Sequence, residues 1–550
     1  MNHFPPLAQA AASASLIPLW VVLGYLALLL ILGVASARLF RGTAADYFVV
    51  SRSVGSFLLL MSIFGTTMTG FALVGSTGKA FTSGLGVYGL MASWSGLIHS
   101  AVFFLVGIKL WAVGKRYGYM TQCEYFRERF ESPALGYVLF PILVLLVIPY
   151  LLVGVIAAGK FLQATTAGMF PEMFAMTLPN GKPHPLSGGF PPWLGSMIIC
   201  TVVLCYVFFG GLRGAVWANT FQTLVFMVTG IIAFSMIARA IDPNTTGLYE
   251  SMVAASRKVA ESEKARSLLL REGHIGHLQF LTYCFIPLSV AMFPHLFERW
   301  RTACSRNSFR LTVVMHPIFI AIVWAPCILI GLWAGAYFAG TANVNPNTVL
   351  GRMIGELVHS PWLSGLVGAG VLAAIMSSLD SQFMCLGTMF TNDIVLRVAG
   401  RDRYNDRQRI LISRVFILGI VLVTYLLAVY LMSDDKRSRS VFDLGVWCFS
   451  GFASLFPLAL AAVSWRRTTR VGAVACVLVT ALVWSVLFYR DIFMPKPPGS
   501  EDEALLWGMM PVTVIFAASA VTLIVVSLMT KPPRGEIVDK FFPNVKSVES

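Results

Sequence analysis

Charged residues are scarce in this 550-residue sequence: Asp, Glu, Lys and Arg together make up 12% of it. Soluble globular chains carry about 25%, so roughly half of the charge that would cover a soluble surface is missing. A nucleotide-binding P-loop and an appended soluble catalytic domain are also missing, which argues against an ATP-driven pump and against an enzyme. The nine cysteines include no CxxC pair and no Cys/His metal spacing, so we predict neither a disulfide nor a metal site of that type.

Hydrophobic residues are abundant instead, at 57% of the chain. They fall in blocks of about twenty, long enough to cross a hydrocarbon layer of ~30 Å. Because backbone in lipid must satisfy its own hydrogen bonds, such blocks indicate an all-α integral membrane protein in a lipid bilayer. About thirteen transmembrane helices are predicted, near residues 16–37, 54–78, 86–112, 137–166, 191–209, 215–238, 277–297, 311–338, 361–394, 412–432, 442–464, 471–488 and 507–530.

The formal net charge of +15 could suggest a nucleic-acid partner. However, the basic residues lie mostly in short loops between apolar blocks, a bias that sets membrane orientation. With the N-terminus outside and the C-terminus inside, about 26 of the 41 Lys and Arg residues fall on the inner side. We therefore predict that orientation and no nucleic-acid partner. The first fifteen residues contain no Lys or Arg, unlike a signal peptide, so residues 16–37 are predicted to be a retained helix.

Two polar segments interrupt or follow the apolar blocks. Residues 239–275 carry Lys258, Glu261 and Lys264 at helical spacing, which predicts a solvated surface helix. The tail 531–550 is short and polar, and we expect it to be cytoplasmic and disordered.

One membrane segment of unusual composition spans residues 63–80, where four glycines recur among threonines and serines. Glycine costs ~1 kcal/mol relative to alanine in a helix, so this segment could unwind. Unwound backbone exposes carbonyl oxygens, with which transporters coordinate Na⁺. Close helix packing through small residues is the alternative explanation of the same pattern.

A second segment spans residues 371–383. At about 100° per residue, Ala374, Ser377, Ser378 and Ser381 share one helical face, and adjacent hydroxyls there could supply oxygen ligands to a small cation. Alternatively, these serines donate hydrogen bonds to carbonyls one turn earlier. Asp380 flanks the face, and it is either a functional carboxylate within the membrane or lies near the inner interface, paired with a cytoplasmic arginine.

A third feature is the pair Pro287 and Pro294 within 277–297. Proline breaks the backbone hydrogen-bond ladder, so this helix is predicted to be kinked or discontinuous. His295 follows directly, either as a contact to a solute or as a structural histidine near the cytoplasmic end.

Six motifs, in order along the chain, resemble the sodium/solute symporter family, in its proline, pantothenate and acetate permease branch. They lie at residues 46–52 (DYFVVSR), 124–130 (EYFRERF), 210–222 (GGLRGAVWANTFQ), 294–299 (PHLFER), 373–381 (AAIMSSLDS) and 451–465. The resemblance implies a LeuT-type fold of five helices repeated with inverted topology. In one membrane domain the repeats would be 54–238 and 277–464, preceded by 16–37 and followed by two helices within 471–530 and the tail.

By position, the sodium site implied by the resemblance uses the backbone carbonyls of Gly65, Met68 and Ala374 and the hydroxyls of Ser377 and Ser378. The solute would bind between the first and sixth core helices at mid-membrane. The candidates for solute contact are Thr67, Thr69, Phe71, Pro294 and His295, and Asp380 is a candidate for coupling.

The chain departs from the resembled family at two positions. Proline-carrying members have aspartate where this chain has Thr67, and many members have aspartate where it has Asn219. These changes put in question the strength of coupling and the transfer of proline as the solute. A sugar is less favoured, because Phe71 and Ala72 stand where sugar carriers have polar side chains.

The expected function is that of a sodium-coupled symporter in the plasma (inner) membrane, which imports a small organic solute by alternating access. An amino acid or organic acid is favoured as the solute, Na⁺ is the co-transported ion, and no organic cofactor is expected. The alternatives are a proton-coupled or uncoupled carrier of the same fold, with Asp380 or His295 as proton carriers, and a sensor that binds solute without transport. A sugar or polyol is the second choice of solute, and the oligomeric state is left open.

Overall fold

The computed structural model describes residues 15–37, 47–48, 53–177, 181, 183–341, 343–400, 403–433, 440–494 and 505–542. Within these ranges the chain is helical and has no β-strand, only three isolated bridges. The helices of the first half are α1 (Ile17–Ala37), α2 (Ser56–Thr67), α3 (Phe71–Ser83), α4 (Gly86–Tyr117), α5 (Gln122–Arg129), α6 (Pro133–Thr165), α7 (Pro192–Ile241) and α8 (Leu248–Glu261). Those of the second half are α9 (His277–Ala291), α10 (Pro294–Thr302), α11 (Ser308–Tyr337), α12 (Val349–Leu357), α13 (Pro361–Ala399), α14 (Asp406–Met432), α15 (Val441–Ser464), α16 (Arg470–Phe493), α17 (Pro511–Met529) and α18 (Gly535–Phe541).

Every apolar block predicted from the sequence corresponds to a helix. Nine of the described helices are long and apolar enough to cross a membrane, or up to eleven if each of two bent pairs is one span. This number takes α7 as one helix and leaves out the apolar stretch Ile17–Gly33 of α1. The predicted thirteen spans and the orientation remain predictions.

Two helices are broken near the middle. α2 and α3 are bent by 56° across residues 68–70, and α9 and α10 are bent by 51° across residues 292–293. α2 opens the predicted repeat 54–238, and α9 opens the predicted repeat 277–464. Interrupted helices at corresponding positions of two halves are typical of transporters with internal repeats, where they form the binding site at mid-membrane.

The break after α2 is a short piece of extended backbone. Met68 has φ −88° and ψ 101°, so the helical hydrogen-bond ladder ends there. Thr69 then caps α3, because its hydroxyl accepts a hydrogen bond from the Phe71 N–H at 3.0 Å. Unwinding within residues 63–80, one of the two sequence interpretations, therefore occurs at 68–69.

The glycines that flank this break pack closely against other helices. A Cβ at Gly65 would lie 2.2 Å from Thr223 Oγ1 of α7, and a Cβ at Gly70 would lie 2.8 Å from Ala157 Cβ of α6. Close packing, the other interpretation of the segment, therefore also applies, at Gly65 and Gly70.

α7 is 50 residues long, which is about 75 Å at 1.5 Å per residue and far more than one membrane thickness. It turns sharply at Gly211, whose φ of 56° and ψ of −156° are not helical. This turn divides α7 into the two helices that the sequence predicts at 191–209 and 215–238. Tyr47 packs against the turn. Residues 46 and 49–52 of its motif lie outside the described residues.

One of the two polar segments, the tail, contains a helix that the sequence does not predict. In 239–275 the predicted surface helix is α8, which ends at Glu261. The prediction that the tail is disordered is wrong for residues 535–541, which form α18. Phe541 explains the difference: it is only 6% exposed, because its ring fills a cluster of aromatic side chains near α5. Residues 543–550 lie outside the described part of the chain.

Candidate functional site

The end of α2 meets the middle of α13 through the side chain of Ser377. Its hydroxyl lies 2.7 Å from the Gly65 carbonyl oxygen and 2.9 Å from the Ala374 carbonyl oxygen, so it is shared between two helices. Ser377 and Ala374 are completely buried. Three of the five predicted sodium ligands therefore converge within hydrogen-bonding distance.

The two remaining predicted ligands are Met68 and Ser378. Met68 is fully buried at the extended residue that ends α2. Ser378 is buried beside Ser377, and its hydroxyl donates to the Ile375 carbonyl at 2.9 Å within α13. Both hydroxyls bond back along their own helix, as the second interpretation of the serine face predicts, and that of Ser377 also reaches α2. Their role as cation ligands stays a prediction.

Asp380 lies one turn further along α13 and is paired with an arginine of α10. Its Oδ1 is 3.9 Å from Arg299 Nη2, and its Oδ2 accepts a hydrogen bond from the Tyr206 hydroxyl at 3.0 Å. Arg299 Nη2 also donates to Ser381 Oγ at 2.6 Å. Asp380, Arg299 and Ser381 have no exposed surface. Asp380 is therefore both buried within a membrane-length helix and paired with an arginine.

Asn219 of α7 joins this cluster at the position where the resemblance leads one to expect aspartate. Its Nδ2 donates to Thr66 Oγ1 at 3.1 Å and to Ser381 Oγ at 3.0 Å. The amide therefore connects α7 with α2 and α13 one turn from Ser377. It supplies hydrogen-bond donors there, where an aspartate would supply charge.

A cavity lies between the two broken helices. The space between its atoms is about 420 Å³, which includes open solvent. Among the described residues, its lining contains no Asp, Glu, Lys or Arg side chain. The lining residues are Thr67, Met68, Phe71, Ser95, His99, Tyr150, Tyr283, Ile286, Pro287, Ser289, Val290, Phe293, Trp324 and Phe449.

A second cavity, of about 500 Å³, lies between α7, α11 and α13. Thr229 is the one hydroxyl-bearing residue among those described in its lining, and the Thr229 hydroxyl donates to the Val225 carbonyl of its own helix. A solute that carries charge would find almost no polar partner there. The cavity between the broken helices is therefore the better candidate for solute.

The predicted solute contacts divide into two groups. Thr67 and Phe71 line the cavity. Thr69 caps α3, and Pro294 begins α10 immediately after the lining residue Phe293. His295 is fully buried, with its ring stacked on that of Phe293 at 5.0 Å between centroids. The lining of the cavity includes Phe293 but not these last three residues.

The sequence prediction missed most of the cavity lining. Pro287 was singled out as a helix breaker, but Ser95, His99, Tyr150 and Trp324 come from apolar blocks where no local pattern marks them. A histidine within an apolar block was the one available signal for His99.

One protein family matches most of the chain. Residues 47–172 and 192–480 match the sequence model described as the Sodium:solute symporter family. The matched segments include both broken helices, the Ser377 region and the cavity lining.

Several curated relatives align over nearly the whole chain. A protein named sodium/proline symporter from Haemophilus influenzae is 27% identical over 527 residues, which cover 93% of this chain and 94% of the relative. The sodium/proline symporter of Salmonella typhimurium is 24% identical and that of Escherichia coli 23% identical, each with 90% of both chains covered.

Two solved structures are similar in fold. A Na⁺-coupled sialic acid symporter superposes with a TM-score of 0.71 at 18% identity, covering 94% of this chain and 99% of that one. Mhp1, a transporter of the nucleobase-cation-symport-1 family, gives a TM-score of 0.52 at 14% identity, covering 90% and 95%. The fold is therefore the predicted LeuT type.

Proposed function

The chain belongs to the sodium:solute symporter family, and from that premise we propose that it imports a small amino acid together with Na⁺. It is a multi-pass plasma-membrane transporter and not an enzyme. L-Proline is the first candidate for the solute, because the curated relatives that align over most of the chain are named sodium/proline symporters. Proton coupling and solute sensing, the alternatives from sequence, are not favoured by family membership.

The proposed ligands of Na⁺ are the carbonyls of Gly65, Met68 and Ala374 and the hydroxyls of Ser377 and Ser378. The observation that carries this proposal is the contact of Ser377 Oγ with both the Gly65 and the Ala374 carbonyl oxygens. Unwound backbone carbonyls are groups with which transporters coordinate Na⁺. A small cation bound to these oxygens would take the place of the Ser377 hydroxyl hydrogen as the partner of the Gly65 and Ala374 carbonyl oxygens.

Such an ion would tie α2 to α13. Alternating access then requires that Na⁺ bind the outward and inward conformations with different affinity, because a ligand with equal affinity shifts no equilibrium. Contact between α2 and α13 is an arrangement that a conformational change can make or break. One Na⁺ entering down 100 mV and a tenfold gradient supplies about 2.3 plus about 1.4 kcal/mol, enough for a solute ratio of roughly several hundredfold.

The chemistry of the cavity supports a small neutral zwitterion as the solute. Its described lining combines aromatic rings with hydroxyl groups and no charged side chain. Aromatic and aliphatic surface suits the hydrocarbon part of proline. The N-terminal end of α10 adjoins the cavity at Phe293, and a helix N-terminus favours an anionic group such as a carboxylate.

Thr67 takes the place of the aspartate that the resemblance associates with proline carriers. Its hydroxyl donates to the Phe64 carbonyl at 2.9 Å, so it is bonded within α2 while its side chain borders the cavity. We propose that the missing charge weakens the coupling between ion and solute without removing the sodium site, none of whose five proposed ligands is Thr67.

The test is uptake into proteoliposomes of a panel of labelled amino acids, carboxylates and sugars. Each solute is offered with an inward Na⁺ gradient and with choline in place of Na⁺ at constant ionic strength. We expect Na⁺-dependent uptake of proline or another small amino acid, lost in Ser377→Ala/Ser378→Ala. Uptake that is unchanged in choline would refute sodium coupling, and uptake insensitive to both serines would refute the ion site.

Ser454→Ala is the matched control. Ser454 is also fully buried in a helix, and its hydroxyl donates to the Ser450 carbonyl one turn earlier at 2.7 Å. The substitution removes a buried back-bonding hydroxyl of the same kind, away from the break in α2. Loss of uptake in this control as well would show that the serine double variant acts through general destabilisation.

A further inference from the structure

Two buried histidines on different helices share a hydrogen bond beside the cavity. His99 Nδ1 of α4 is 3.1 Å from His316 Nε2 of α11. The two helices are fixed against each other at this point, since the Ser100 hydroxyl donates to the Val313 carbonyl at 2.7 Å. His99 borders the cavity, whereas His316 lies behind it and is fully buried.

The surroundings of His316 are aromatic. Its ring is 5.5 Å from that of Phe64 and 5.0 Å from that of Phe103, centroid to centroid, and both contacts are edge-on. Its second nitrogen, Nδ1, has no hydrogen-bond partner among the described residues. Neither imidazole has an ion pair or a second hydrogen bond with a described residue. The pair is therefore isolated from the carboxylates of the described residues.

This isolation determines which nitrogens carry hydrogen. A neutral imidazole has one N–H donor and one bare acceptor nitrogen, so a single hydrogen lies between the two rings. If His316 Nε2 donates it, His316 Nδ1 is left as an unpaired acceptor in the aromatic pocket. If His99 Nδ1 donates it, an unpaired N–H remains there instead. On the backbone, orphaned buried N–H groups are rarer than under-satisfied acceptors, and by extension of that preference to the imidazole, donation by His316 is favoured.

We infer that His316 fixes His99 in the tautomer whose Nε2–H is available to the cavity, and that this N–H binds the carboxylate of the solute. The inference rests on the proposed function and extends it to a residue that determines specificity. A zwitterionic amino acid with a hydrocarbon side chain has one group that accepts hydrogen bonds, its carboxylate, because its ammonium group only donates. Among the groups of such a solute, an N–H donor in this cavity can therefore pair only with the carboxylate. His316 is a positioning residue, because it acts through His99.

Two substitutions at position 99 separate the two nitrogens. The amide oxygen of asparagine can take the place of the bare Nδ1 as acceptor, and the amide nitrogen of glutamine can take the place of Nε2 as donor. His99→Asn thus keeps a partner for His316 and loses the donor to the cavity, whereas His99→Gln keeps a donor to the cavity. For labelled L-proline in proteoliposomes we expect the KM of His99→Asn to rise about 10- to 100-fold, as for loss of a hydrogen bond to a charged group. The KM of His99→Gln should rise less, and the half-saturating Na⁺ concentration at saturating proline should change less than about threefold in either variant.

L-Prolinamide, which lacks the carboxylate, serves as the comparison solute. In the native chain it should compete more weakly than proline, and this preference should shrink in His99→Asn. Two substitutions at position 316 test its role. His316→Gln can still donate a hydrogen bond to His99 Nδ1, whereas His316→Leu cannot. His316→Gln should therefore retain more of the affinity for proline than His316→Leu. A KM within about twofold of native in His99→Asn, or an unchanged preference over prolinamide, would overturn the inference.

A direct measurement covers the case in which these variants do not fold. Nitrogen-15 solid-state NMR of histidine-labelled native protein distinguishes N–H from bare nitrogen, and labelling of the neighbours Ser100 or Pro317 together with histidine assigns the signals without a substitution. We expect His99 with hydrogen on Nε2 and a bare, hydrogen-bonded Nδ1. Hydrogen on Nδ1 would refute the inference, whatever the transport assays show. Absence of amino-acid uptake by the native chain would instead refute the proposed function.

Discussion

Tyr47 and Gly211 are packed so closely that a side chain at position 211 has no space. A Cβ at Gly211 would lie 2.6 Å from Cδ2 of the tyrosine ring. The backbone there also has φ 56° and ψ −156°, a combination that is essentially restricted to glycine. The turn that divides α7 therefore depends on this glycine in two independent ways.

Gly211→Ala should accordingly destabilise the fold. We expect a loss of at least ~1–3 kcal/mol from backbone strain alone, seen as a lower midpoint of thermal unfolding in detergent. Gly230→Ala on the same helix is the matched control, because a Cβ at Gly230 would have no described atom within 4 Å and the φ there is ordinary. Equal midpoints for the two variants would contradict the role assigned to the turn.

Ser377 and Ser378 should differ in their effect on sodium affinity. Ser377 bonds across to Gly65 of α2, whereas the Ser378 hydroxyl bonds within α13. Both alanine substitutions should raise the Na⁺ concentration for half-maximal proline uptake, Ser377→Ala by about tenfold or more and Ser378→Ala by less. Sodium titrations of the two single variants decide the point, and a larger effect at Ser378 would speak against the contact with Gly65 as the main tie between the helices.

The buried pair of Asp380 and Arg299 should behave as a unit. Asp380→Asn leaves the Arg299 guanidinium buried without its counter-charge, at a cost of roughly 3–5 kcal/mol. Adding Arg299→Met removes the stranded charge, so the double variant should be more stable than Asp380→Asn alone. Thermal unfolding of the native chain, the two single variants and the double variant measures the coupling, and additive losses would show that the side chains act independently.

An exposed ion pair provides the control for that experiment. Arg534 and Glu131 lie 3.7 Å apart, but the arginine side chain is 80% exposed. Exposed pairs contribute about 0–1 kcal/mol, so Glu131→Gln should leave the unfolding midpoint almost unchanged.

Phe541 should hold α18 against the neighbourhood of α5. Its ring is stacked on Tyr119 at 6.3 Å and packs edge-on against Tyr125 at 5.7 Å between centroids. Phe541→Ala removes these contacts, so trypsin should cleave after Arg534 at least several-fold faster than in the native chain. Asp539→Ala, a change at a position of the same helix that is not buried, should leave the cleavage rate unchanged. Equal rates in the two variants would show that the ring does not hold α18.

Local sequence patterns predicted the helices of membrane length and the break within 277–297, and they offered the break within 63–80 as one of two interpretations. Apolar blocks of membrane length marked the spans, Pro287 and Pro294 marked the bend between α9 and α10, and the glycine-rich run marked that between α2 and α3. These features act over one or two turns of helix, so the sequence reveals them directly.

Contacts between distant parts of the chain were not predictable in the same way. His99 and His316 are 217 positions apart, and only the crossing of α4 and α11 brings them together. α18 was missed for a related reason, because the seven-residue helix is stable only where Phe541 finds its aromatic partners. The serine face of α13 was predicted from helical periodicity, but its link to Gly65 depends on where α2 lies.

The pairing of Asp380 with Arg299 has an electrical consequence. A carboxylate and a guanidinium that stay together have no net charge, so their movement through the membrane field contributes no net current. An amino acid that enters as a zwitterion contributes none either. The charge that crosses per solute molecule, measured as current against isotope uptake, would then count the sodium ions carried in each cycle.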